Sequence, residues 1–239
     1  MPQFIIFFMR FVFINSLLEL FYPTVCAACG KSLFSWEQLV CTHCRSFLPK
    51  TGYELVAENP LARLFYGKVR LKAVTAGFFF SKDGKVQSLI HELKYRGNAE
   101  AGIFLGQELG KSIKNAPLFQ DIDYLIPIPL HPKREKQRGY NQSMMIAQGI
   151  SEVTDIQIGN EFLIRKVNTA TQTHKSKDER WRNVKDIFEL RHAERLHDKS
   201  VLLVDDVLTT GSTLESGALT LSSVSGITIS CATAACAGQ

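Results

Sequence analysis

Val201-Leu-Leu-Val-Asp-Asp-Val-Leu-Thr-Thr-Gly-Ser-Thr213 is the stretch on which the reading of this chain turns. An apolar strand runs into two adjacent carboxylates, Asp205 and Asp206. A turn of hydroxyls and glycine follows (Thr209, Thr210, Gly211, Ser212, Thr213), and a helical pattern begins at Leu214. Two chemically opposite groups therefore sit within a few residues. The carboxylates can accept hydrogen bonds from sugar hydroxyls. The turn offers backbone N–H groups and hydroxyls at a helix N-terminus, which suits a phosphate. A phosphorylated sugar satisfies both halves at once.

Two other readings compete. An apolar run ending in paired aspartates also resembles the metal-binding strand of a P-loop ATPase, which needs a Gly-x-x-x-x-Gly-Lys-Ser/Thr partner. The nearest stretch, Gly106-Gln-Glu-Leu-Gly-Lys-Ser112, is one residue short between its glycines and lies in a helix-periodic segment. A buried strand with an ordinary turn does not require two carboxylates and five phosphate-type residues together.

Outward from the motif, the 239 residues suffice for one α/β domain and a small appendage. A net charge of +5 suits an anionic ligand or nucleic acid without demanding either. The apolar opening, Phe4 to Ile14, has no basic residue before it, and Arg10 interrupts it. It lacks a signal-peptide cleavage site and is too short to span a bilayer. A cytoplasmic chain without a membrane span is expected, with Met1 or Met9 as its start, and residues 1–14 as a separate apolar segment.

Residues 15–50 read as the appendage. Cys26-Ala-Ala-Cys29 and Cys41-Thr-His-Cys44 are two Cys-x-x-Cys knuckles separated by eleven residues. A short hairpin can fold one onto the other, so that Cys26, Cys29, Cys41 and Cys44 meet a tetrahedral structural Zn²⁺. Two disulfides are the competing reading, disfavoured in a reducing compartment. His43 reads as solvated, and Cys231 and Cys236 as buried apolar residues.

Residues 51–239 read as the main domain. After a linker, strands are expected at 74–80, 124–129, 162–165, 201–207 and 227–233, alternating with helices at 86–93, 99–115, from 142, and at 214–224. Alternation implies a doubly wound, mostly parallel sheet whose ligands bind beyond the strand C-termini. Residues 130–141 read as a basic loop at that edge, with Lys133, Arg134, Lys136 and Arg138 available to a pyrophosphate and Gly139 allowing close backbone approach. Residues 94–98 read as another loop. The long polar segment before Val184 reads as a lid, with Gln172, Arg180 and Asn183 as its contacts.

The 201–213 stretch resembles the PRPP (5-phosphoribosyl 1-pyrophosphate) motif of type I phosphoribosyltransferases. Together with the double knuckle, Leu93-Lys-Tyr-Arg-Gly-Asn98, Ile126-Pro-Ile-Pro-Leu-His131, Arg138-Gly-Tyr-Asn-Gln142 and Gln172-Thr173, it resembles the ComF family, associated with DNA uptake in natural competence. The resemblance implies a type I phosphoribosyltransferase fold with an N-terminal zinc knuckle. Asp205 and Asp206 would take the ribose hydroxyls and stabilise a cation-like transition state, and Thr209–Thr213 would take the 5′-phosphate. Arg134, Arg138, Gly139, Tyr140, Asn141 and Lys94 would contribute to PRPP binding, with Mg²⁺ as cofactor. The activity implied is phosphoribosyl transfer to an unnamed nitrogen acceptor. The alternative is a PRPP-binding, single-stranded-DNA-handling protein with little turnover. A homo-oligomer is compatible with either. Parts of the pattern are also similar to glutamine amidophosphoribosyltransferase, but this chain lacks that enzyme's glutaminase domain and cysteine nucleophile.

Overall fold

The computed structural model describes residues 23–166 and 187–237. They divide into two compact units, with the division between Leu48 and Pro49. The first holds the four knuckle cysteines and a short helix, α1 (Thr42–Ser46).

The second unit is built on a five-stranded parallel sheet. Its strands are β1 (Val74–Phe80), β2 (Tyr124–Pro127), β3 (Gln157–Ile158), β6 (Ser200–Leu208) and β7 (Thr228–Ala237), in the order β1-β7-β6-β2-β3. β4 (Leu163–Arg165) and β5 (Phe188–Leu190) form a separate antiparallel pair. Helices α2 (Pro60–Arg63), α3 (Lys85–Tyr95), α4 (Ala99–Ile113), α5 (Pro132–Arg138), α6 (Gln142–Thr154) and α7 (Ser212–Leu221) complete the unit.

Both faces of the sheet are covered, which is why β1 and the first half of β6 are buried on both faces rather than alternating. Along β6, Val201 and Leu203 join a core with Ile126, Leu214, Ala218, Leu221, Phe162 and Phe188. Leu202 and Val204, equally buried, alternate with them. α3, α4 and α6 pack as one layer, in which α4 and α6 approach very closely. A Cβ on Gly106 would stand 2.1 Å from the Ile146 carbonyl oxygen, and one on Gly149 would stand 2.0 Å from that of Ile103. The Gly106–Ser112 stretch is thus a helix-packing surface.

Several local expectations change. The segment after Pro49 is no plain linker: Tyr53–Leu55 makes a 3₁₀ turn, and buried Asn59 caps α2 while donating to the Val74 carbonyl at 2.8 Å. Residues 132–138 form a helix where a basic loop was expected. Pro132 stands at its first position, His131 Nδ1 accepts from the Lys133 N–H, and Gly139 ends it at φ 84°. Lys94 and Tyr95 belong to the last turn of α3 rather than to a loop. β3 and β5 are additional strands, too short for a periodicity to register.

Candidate functional site

β6 carries the carboxylate pair between β7 and β2, near the C-terminal edge of the sheet. Asp205 Oδ1 accepts from the Ser143 hydroxyl at 2.8 Å and from the Asp206 N–H at 2.9 Å. Ser143 lies in the first turn of α6, and its own N–H is held by Asn141 Oδ1 at 3.0 Å. Asp206 Oδ2 pairs with Lys94 Nζ at 2.9 Å. Each carboxylate keeps its other oxygen without a hydrogen-bond partner among the described residues. Burial, and then the Asp206 charge, push the Asp205 carboxyl up to about 7, against the pull of its hydrogen bonds and of Lys94. The pair could therefore accept from hydroxyls, with Asp205 holding its proton to higher pH than an ordinary carboxyl.

The turn after β6 leads directly into α7. Gly211 has φ 78° and is buried, whereas Thr209, Thr210, Ser212 and Thr213 are exposed. The Thr210 and Ser212 hydroxyls are 3.1 Å apart. A Cβ on Gly211 would stand 3.0 Å from Phe65 Cζ, so the Phe65 ring underpins the turn. Free N–H groups of the first helical turn and four hydroxyls thus converge beside the carboxylates.

On the β2 side, the Asn141 side-chain amide donates to the Ile128 carbonyl at 2.9 Å, and the Tyr140 hydroxyl to the Leu93 carbonyl at 2.7 Å. These two residues position the loop rather than present free groups. Arg138 bonds Gln142 Oε1 at 2.8 Å and lies 5.8 Å from the centre of the Tyr95 ring. A cavity of about 250 Å³ opens among Pro127, Asn141, Glu135 and Arg165. Burial and the neighbouring Arg134 charge make the Arg165 guanidinium less basic than usual, while Asp205 acts the other way. Arg165, which borders this cavity, and Ser143, which holds Asp205, are candidate site residues not singled out from the sequence. Arg165 had a signal, since it ends an expected strand at the ligand-binding edge. Across β7 a larger cavity, about 420 Å³, borders Asp206, Lys94 and Thr209. Gln172, Arg180 and Asn183 lie outside the described residues.

In the first unit, the sulfurs of Cys26, Cys29, Cys41 and Cys44 all lie within 4.8 Å of one another, with Cys29 and Cys41 at 4.0 Å. Four thiolates at about 2.3 Å from a tetrahedral ion stand about 3.8 Å apart, so the cluster can hold a zinc ion. Backbone N–H groups point at the sulfurs, from Cys41 to Cys26 at 3.3 Å and from Cys44 to Cys41 at 3.4 Å. Burial opposes ionisation of Cys26, but the backbone N–H groups of Cys41, Ala28 and Cys29 bring its thiol down to about 7. Burial and the adjoining cysteines raise the Cys44 thiol.

The phosphoribosyl transferase domain model matches residues 142–239, from the start of α6 through the carboxylate pair and the phosphate-type turn. Competence protein F of Haemophilus influenzae is 29% identical over 194 residues, covering 80% of each chain. The chain is similar to the ComF-type competence proteins. DNA utilization protein YhgH of Escherichia coli is 34% identical over 129 residues, covering 53% of this chain and 56% of that protein. Competence protein ComFC of Bacillus subtilis is 27% identical over 136 residues, covering 56% and 52%. The chain thus spans most of the Haemophilus protein and about half the length of the other two. Among solved structures, adenine phosphoribosyltransferase of Leishmania tarentolae aligns over 76% of this chain and 77% of its own at 17% identity, with a TM-score of 0.33.

Proposed function

We propose that this ComF-type protein binds PRPP with Mg²⁺ and transfers the phosphoribosyl group to a nitrogen acceptor, releasing pyrophosphate. The observation that carries this reading is the unpartnered oxygens of Asp205 and Asp206 lying next to the open turn at the α7 N-terminus. Asp205 Oδ2 and Asp206 Oδ1 would accept from the 2′- and 3′-hydroxyls, and Thr209–Thr213 would hold the 5′-phosphate. Arg134 and Arg165 would face the pyrophosphate, with Arg138 and Lys94 as further cations. The same two oxygens are hard donors suited to Mg²⁺, whose bound charge would ease departure of pyrophosphate.

The acceptor nitrogen forms the C1–N bond as the C1–O bond breaks. Pyrophosphate leaves with the electron pair, and the nitrogen loses its proton to water. Two carboxylates beneath the ring stabilise the positive charge that develops on it. Mg²⁺-dependent pyrophosphate release from PRPP, across a panel of nucleobases and amines, tests transfer. The wild type should release pyrophosphate with at least one acceptor and Asp206→Asn should not; PRPP binding with no release for any acceptor would contradict turnover.

A second reading, PRPP-dependent handling of single-stranded DNA, is favoured by the relatives, which are competence and DNA utilization proteins. Exposed Phe34 and Trp36, stacked at 4.8 Å in the first unit, are platforms of the kind bases stack on. Binding of an unlabelled oligonucleotide that weakens with salt would support it. Both readings place the protein in the cytoplasm, where PRPP is available.

A further inference from the structure

The four sulfurs of the first unit are not equally reachable. Cys26 and Cys44 are buried, at 2% and 0% exposure, whereas Cys29 is exposed and Cys41 half-buried. The two reachable sulfurs come one from each knuckle and stand 4.0 Å apart. We infer that Cys29 and Cys41 form a peroxide-reactive dithiol, which closes to a disulfide across the knuckles and releases the metal. This rests on the zinc reading and adds a modification site to it.

The hairpin favours a bond between the knuckles over one within either. The Ala27 N–H donates to the Leu39 carbonyl at 2.9 Å, and the Cys41 N–H to Cys26 Sγ at 3.3 Å. The backbone of the second knuckle is thereby tied against the first. Closing the Cys29 and Cys41 sulfurs from 4.0 Å to the bonded distance of about 2.05 Å then asks mainly for side-chain rotation. Cys26 is the rival partner of Cys29, but its sulfur is buried and already accepts the Cys41 N–H. The remaining cysteines, Cys231 and Cys236, are buried on β7 in the other unit.

A hydroperoxide oxidises thiolate rather than thiol, and a zinc-bound cysteine is a thiolate. The exposed Cys29 sulfur takes one oxygen from hydrogen peroxide and becomes a sulfenic acid, as hydroxide leaves. The Cys41 thiolate attacks that sulfur, the S–S bond forms, and a second hydroxide leaves. Two electrons have passed from the pair of sulfurs to one peroxide. Only Cys26 and Cys44 remain as ligands, too few for a structural site that uses four. The new bond closes the same eleven-residue loop that the metal closed. The hairpin therefore keeps a staple, and a reducing thiol can restore the site.

The test uses the full chain loaded with zinc, its metal content fixed beforehand by elemental analysis. Equimolar hydrogen peroxide is added, zinc release is followed with a chromogenic chelator, and the disulfide is mapped by mass spectrometry. Trypsin cuts after Lys31, between the knuckles, so a bond across them joins two peptides and fragmentation identifies its cysteines. Release in proportion to peroxide, a Cys29–Cys41 bond, and reloading after thiol and fresh zinc are expected. Cys29→His keeps a zinc ligand without the exposed thiolate and should slow release about tenfold or more. A bond within either knuckle, oxidation confined to one cysteine, or release from Cys29→His as fast as from the wild type would overturn the inference. The wild-type linkage decides the case even if that variant does not fold. Absence of zinc before peroxide is added would overturn the zinc reading, and this inference with it.

Discussion

Asp205 and Asp206 differ in everything but their side chain. Asp205 is crowded, accepts from Ser143 and titrates up near 7, whereas Asp206 is paired with Lys94. The sign of the pH effect follows. An acid whose carboxyl is raised on folding binds its proton more tightly in the native state. Its stabilising contribution is complete below the unfolded value of about 4 and is lost as pH rises through about 7. Asp205→Asn should therefore flatten the dependence of thermal stability on pH between 5 and 8, read by melting across that range. Affinity for PRPP should run the other way, falling as pH drops below 7 because the ionised carboxylate is the better acceptor. Ser143→Ala removes a hydrogen bond to a charged group, worth about 1.5–3 kcal/mol, and should weaken PRPP binding roughly tenfold or more, measured by calorimetry. The aspartates were legible because they are neighbours at the end of an apolar run. Ser143 was not, because it reaches Asp205 from 62 residues away through the packing of α6. The Lys94 pairing with Asp206 was hidden for the same reason.

At the scale of elements, the phosphate-type turn depends on one backbone conformation. Gly211 combines φ 78° with a Cβ position 3.0 Å from the Phe65 ring. Gly211→Ala should cost on the order of 1–2 kcal/mol of stability and weaken PRPP binding, checked by denaturant unfolding and calorimetry on the same sample. The α4–α6 crossing is less tolerant still. Gly106→Ala drives a methyl into the Ile146 carbonyl and should lower stability by more than about 2 kcal/mol. Long elements were legible: β1 spans the expected 74–80, and α4, α6 and β6 fall within two residues of their expected bounds wherever a bound was set. α5 was missed because a run dominated by charge has no apolar face to betray a helix, although its proline start and glycine stop were both present. α2 was missed because a four-residue helix is written in one cap, Asn59-Pro60, rather than in a period. β3 and β5 take their form from the strands they pair with.

For the whole molecule, the chain joins a unit that the phosphoribosyl transferase comparison reaches to one that it does not. Among the described residues, the first unit buries five apolar ones, Cys26, Ala28, Val40, Cys44 and Leu48, a small core of the kind that a metal staples. Two of the five are metal-type ligands. Zinc should therefore be found by elemental analysis, and Cys44→Ser should lose it together with the dispersed amide signals of residues 23–48. The knuckles were legible from spacing alone, since four thiols in that pattern have few other uses. The second unit's candidate site was legible only as chemistry: carboxylates that could take hydroxyls and a helix-start turn that could take a phosphate. The direct measurement is equilibrium binding of PRPP in Mg²⁺ to the wild type and to Asp205→Asn/Asp206→Asn. The account predicts saturable binding by the wild type and loss of at least tenfold in affinity by the variant, the worth of the hydrogen bonds to charged acceptors that it removes. Absence of binding by the wild type, or equal binding by the two, would contradict it.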